Sequence, residues 1–70
     1  MAYYHTLITR EDGIWSPQFG DYDREVVAYE MDDFTEYQGY ARQDVKIIRT
    51  KTDAQSEIDA LIADLNVVGG

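Results

Sequence analysis

The sequence predicts an α+β domain of order ββαβα, and three observations predict it. Asp12-Gly13 separates two strand-like runs, a strong hairpin signal. Apolar residues recur at helical spacing twice, as Val27, Met31 and Phe34 and as Ala54, Ile58, Leu61, Ile62 and Leu65. Between these two helices lies a short run with two isoleucines and a valine, the content of a third strand.

Residues 3–10 form the first strand, rich in Tyr, Thr, Leu and Ile and free of breakers. Gly13 accepts the positive φ of the turn. Residues 14–19 form the return strand, with Trp15, Pro17 and Phe19 expected on one face. Pro17 cannot donate to a ladder, so this strand lies at an edge or bulges there. Residues 20–23 turn into the first helix, where Asp21 or Asp23 accepts from free N–H groups of the first turn. The helix runs to about Tyr37, and Gly39 suits a left-handed stop. Residues 45–50 form the third strand. Thr52, with Gln55 three residues on, reads as a capping box opening the last helix.

The hairpin makes the first two strands antiparallel. A helical crossover returns the third strand parallel to the second, hence antiparallel beside the first. The expected sheet is three-stranded and antiparallel, in order 2-1-3, with two helices on one face. Residues 1–66 make one compact domain, and residues 67–70 a flexible tail. The expected core takes Leu7 or Ile8, Trp15 or Phe19, Val27, Met31, Phe34, Ile47 or Ile48, Ile58, Leu61, Ile62 and Leu65.

A core in a chain of 70 residues is small. Its net stability is about 3–5 kcal/mol. The chain has no Cys and one His, so neither disulfides nor a zinc cluster can staple it. The aromatic rings supply bulk instead, and the state is a monomer or weak homodimer. No run is long and apolar enough to span a membrane. Residues 1–5 lack the pattern of a signal peptide, so the expected location is the cytoplasm.

Charge is the loudest feature, with 14 acids against six bases and a formal net charge of −8. From Glu11 to Glu36 there are nine acids and one base, Arg24. From Tyr37 to Thr52 the balance reverses, with Arg42, Lys46, Arg49 and Lys51 against Asp44. Such a field repels nucleic acid and anionic lipid and attracts basic protein surfaces. On the first helix Glu25, Tyr29, Asp32 and Glu36 recur opposite the apolar stripe, flanked by Asp33. Like charges at this spacing repel by a few tenths of a kcal/mol per pair, about what a Lys on the same face would relieve. A plainly solvated acidic face is the competing reading.

No pattern supports catalysis or a cofactor. Asp21-Tyr22-Asp23-Arg24-Glu25 resembles the start of a calcium loop, but Val26 stands where that loop needs glycine. His5 has no second His or Cys near it, and Ser16 and Ser56 have no base beside them in sequence. The chain is therefore expected to bind rather than catalyse. Val67-Val68-Gly69-Gly70 is similar to the ends of ubiquitin-like sulfur carriers. This is the alternative reading: an interaction protein acting through its tail or apolar faces. A carrier needs a strand before the glycines, and here a helix is expected.

Three segments taken together carry a resemblance: Tyr4-His5-Thr6-Leu7, Trp15-Ser16-Pro17-Gln18-Phe19-Gly20-Asp21-Tyr22-Asp23 and Lys46-Ile47-Ile48-Arg49-Thr50-Lys51. They look like small accessory proteins of bacteriophages and prophages, among which are acidic anti-CRISPR inhibitors that mimic DNA charge. The resemblance implies a host-cytoplasm inhibitor. Its target would be a nucleic-acid-binding complex such as a type I Cascade, with a lean to type I-C. It implies no direct nucleic-acid contact and transfers no site residues. The residues themselves nominate Glu11, Asp12, Asp21, Asp23, Glu25, Tyr29, Asp32, Asp33 and Glu36 as the partner-binding surface.

Overall fold

The computed structural model describes residues 3–68. Its order is β1 (Tyr4–Glu11), β2 (Ile14–Asp21), α1 (Arg24–Glu36), a short 3-10 turn (Arg42–Asp44), β3 (Val45–Thr50) and α2 (Gln55–Val68). The sheet is antiparallel with strand order β2-β1-β3, as the sequence predicts. Asp12 and Gly13 both take positive φ, 54° and 80°, which is the backbone of a two-residue hairpin turn.

The helices do not share a face. Thr6, Leu7, Ile8 and Thr9 are all buried, so β1 is covered on both sides. Successive side chains of a strand point to opposite faces. Leu7 packs with Val27 and Val45, and with the partly buried Phe19, Met31, Phe34, Tyr40 and Ile47, under α1. Ile8 packs with Trp15, Ile48, Ile58 and Ile62 under α2. The molecule is three layers with the central strand in the middle. The one-face expectation fails because an amphipathic helix has the same periodicity whichever side of a sheet it covers.

Trp15 and Phe19 were expected on one face and serve opposite ones. The register of β1 against β2 shifts between Leu7 and Ile8, where Phe19 and Pro17 are the successive partners. One extra residue on β2 reverses the side-chain alternation beyond it. Pro17 thus lies on an edge strand and at a bulge together. Another correction concerns Leu61, which was expected in the core and is 37% exposed. The buried set on α2 is Ile58 and Ile62, with Leu65 partly buried against them.

Local chemistry sets the helix ends. Asp23 is the N-cap of α1 and accepts from the Glu25 N–H, while Asp21 accepts from the Asp23 N–H at 2.8 Å. Gly39 takes φ 80°, and the Tyr40 N–H returns to the Phe34 carbonyl. At the start of α2 the expected partner of Thr52 changes. Glu57, not Gln55, reaches back, accepting from the Lys51 N–H and the Thr52 hydroxyl, and the Ala54 N–H donates to Thr52 Oγ1. Gln55 instead donates to Asp59 one turn on. The helix continues through Val68, beyond the expected start of a tail at residue 67. Gly69 and Gly70 lie outside the described residues.

Asn66 ties α2 to the sheet. Its Oδ1 accepts from the Trp15 N–H at 2.6 Å and its Nδ2 donates to the Trp15 carbonyl at 3.2 Å. The side-chain amide thereby imitates a neighbouring strand on the outer edge of β2. Asn66→Ala strands two part-buried backbone groups and is expected to cost about 1–3 kcal/mol. Urea denaturation measures it, and an unchanged midpoint would show that the clasp contributes nothing.

Candidate protein-binding surface

The acids nominated from sequence spread along the outer side of α1 and around its two ends. Thirteen residues of helix span about 20 Å. At the N-terminal end, Asp21 and Asp23 spend a carboxylate oxygen each on local N–H groups. Glu25, Asp32, Asp33 and Glu36 are exposed, and Tyr29 among them is 70% exposed. Beyond the C-terminal end lies the hairpin tip with Glu11 and Asp12, both exposed. Glu11 is partly engaged, because the Tyr40 hydroxyl donates to its Oε1. That hydrogen bond raises the Tyr40 phenol above its ordinary value, against an opposing hydrogen bond with Thr9. Of the nine residues, Asp21, Asp23 and Glu11 therefore hold the fold as well as facing outward, and the other six have exposed side chains.

None of these carboxylates is neutralised by an ion pair. Among the described residues the one ion pair is Arg10–Asp44, at 2.9 Å, which joins the hairpin end of β1 to the 3-10 turn before β3. The helix dipole makes the arrangement costlier. Asp33 and Glu36 fall in the last turn of α1, which holds no base. There the backbone carries partial negative charge, so each acid destabilises the end by about 0.3–1 kcal/mol. The end of α2 also lacks a base, but its last four residues, Leu65, Asn66, Val67 and Val68, carry no acid. Glu36→Lys is accordingly expected to stabilise the fold by about 0.3–1 kcal/mol. A urea midpoint that falls on this substitution would contradict the electrostatic account.

Sequence reasoning missed part of the surface. Tyr22, Val26 and Tyr37 are exposed beside Tyr29, Tyr37 by 80%. At spacings of four, three and eight, from just before α1 to its C-cap, they place a broken apolar line among the acids. Tyr22 is steadied by an edge-on contact with Tyr4, centroids 4.9 Å apart. The readable signal was large side chains lying off the apolar stripe. Tyrosines of this kind are enriched at protein interfaces.

Other features offer less. A shallow cleft of about 200 Å³ lies between β2 and the start of α2, lined by Tyr4, Thr6, Pro17, Gly20, Gln55 and Ile58 among others. The buried Thr6 hydroxyl has no hydrogen-bond partner there. Among the described residues no three of His, Cys, Asp and Glu converge as metal ligands. No described helix is long and apolar enough to cross a membrane. No family model matches the chain, and neither a curated protein nor a solved structure does.

Proposed function

We propose that the chain is a small acidic inhibitor of phage type that binds the basic surface of a nucleic-acid-binding complex and blocks its access to DNA. The observation that carries this reading is the outer face of α1. It holds exposed, unpaired carboxylates at the negative end of a helix, interleaved with exposed tyrosines. A helix shaped only for stability would carry Lys or Arg in its last turn. Carboxylates in this position can occupy Lys and Arg sites that otherwise hold phosphates. Tyr29 and Tyr37 supply flat faces on which an Arg of the partner can stack.

A type I Cascade, type I-C first, is the complex to try, from the resemblance to phage accessory proteins. The diglycine alternative has less support, since the chain preceding residue 69 is helix rather than strand.

The test is salt dependence. Exposed charges more than about 10 Å apart are screened at 0.1 M salt, and contacts are weakened further above that. Binding to the purified complex is expected to weaken by about tenfold or more between 0.1 M and 0.5 M salt. Affinity independent of salt would show that the acids are not the contact.

A further inference from the structure

The sheet has two outer edges, and the fold treats them differently. The edge of β2 is blunted by Pro17, by the bulge and by Asn66, three devices that prevent strand addition. β3 has no proline and runs in register with β1 from Val45 to Thr50 without a shift. Its outward groups follow from the Asn66 clasp. Asn66 bonds both backbone groups of Trp15, so these point away from β1. Trp15 faces Arg10 across the ladder, so Arg10 turns its own N–H and C=O toward the other side of β1. By alternation Ile8, Thr6 and Tyr4 do the same, and they meet Lys46, Ile48 and Thr50. Val45, Ile47 and Arg49 are left facing out.

The opening is short and bounded. The Val45 N–H bonds to the Arg42 carbonyl. The Lys51 N–H bonds to the Glu57 carboxylate. Between them the N–H and C=O groups of Ile47 and Arg49 form an unpaired edge.

We propose that this edge takes an extended acidic segment of another protein as a fourth strand. The segment bonds the backbone of Ile47 and Arg49 and sets carboxylates opposite Lys46 and Arg49. Charge selects the occupant. Lys46 and Arg49 are exposed and have no ion-pair partner among the described residues, and Asp44, the acid nearest Lys46 in sequence, is taken by Arg10. Each base is held over an aromatic ring, Lys46 at 5.8 Å from the Trp15 centroid and Arg49 at 4.4 Å from that of Tyr3. A second copy of the chain offers no acid to either base. Symmetric antiparallel pairing centred on Ile47 or Ile48 sets Lys46 opposite Ile48 or Thr50 of the copy, and Arg49 opposite Val45 or Ile47. The complementary strand reads acidic, apolar, apolar, acidic, a spacing that serves either strand direction.

The probe is a blocked hexapeptide, Thr-Glu-Val-Val-Glu-Thr, and its analogue with both Glu replaced by Lys. Each is titrated into the isotope-labelled chain at 0.1 M salt, where distant acids are screened. The Glu peptide at saturation is expected to slow amide exchange at Ile47 and Arg49 by about tenfold or more. Lys46 and Ile48, already bonded to β1, change little. The Lys peptide produces no protection. The double variant Lys46→Glu/Arg49→Glu, its fold checked by circular dichroism, binds the Glu peptide about tenfold more weakly and prefers the Lys peptide. Equal binding of the two peptides, or protection away from Ile47 and Arg49, overturns the proposal. So does a concentration-dependent dimer in which the Ile47 amide is protected without peptide. None of these outcomes bears on the α1 surface, which is read by DNA competition.

Discussion

Asp32→Lys/Asp33→Lys is expected to abolish inhibition while leaving the fold intact. Both side chains are exposed, and neither carboxylate has a hydrogen-bond or ion-pair partner among the described residues. What the fold uses at these positions is backbone: the Asp32 carbonyl accepts from Thr35 and the Asp33 carbonyl from the Tyr37 N–H. Lysine keeps both. It also places positive charge near the negative end of α1, which stabilises the helix by about 0.3–1 kcal/mol at position 33 in the last turn and by less at position 32. The effect on binding runs the other way. Two attractive charges become two repulsive ones in the middle of the contact, and juxtaposed like charges cost several kcal/mol at an interface. Loss of function with gained stability is a signature that simple unfolding cannot produce. A variant that melts higher and still inhibits at wild-type concentration would remove this face from consideration.

Ile8→Ala is expected to unfold much of the population. Ile8 is fully buried between Trp15, Ile48, Ile58 and Ile62. Truncating a buried Ile to Ala costs about 2–5 kcal/mol, against a total of about 3–5 kcal/mol for a core of this size. Leu61→Ala should cost much less, because Leu61 is already over a third exposed. Denaturant titrations of the two variants side by side decide it. Equal losses would mean that α2 packs by a different stripe.

The contrast between Ile8 and Leu61 shows what could be read from the sequence. Local chemistry was legible: the Asp12-Gly13 turn, the capping acids Asp21 and Asp23, the stop at Gly39 and the edge position of Pro17 each depend on one or two neighbouring residues. Strand order was also legible, because a hairpin followed by a helical crossover leaves few arrangements. The sidedness of the sheet was not. It depends on the bulge opposite Leu7 and Ile8, whose single extra residue sends Trp15 and Phe19 to different faces. Nor did the sequence show that Asn66 would clasp Trp15, 51 positions earlier. On the candidate surface, the charged residues were found by counting and by helical spacing. Engagement of Glu11 by Tyr40 was hidden, since it joins the hairpin to the segment after α1. Tyr22 and Tyr37 lie off both the acidic spacing and the apolar stripe, so neither pattern marks them.

The central claim is that the outer face of α1 and DNA compete for one surface. The most direct measurement titrates the chain into the purified complex carrying fluorescent DNA and follows both the anisotropy and the mass of what remains bound. Competition predicts that DNA is released in step with chain binding, and that the Asp32→Lys/Asp33→Lys variant releases none. A ternary species holding chain and DNA together would contradict it.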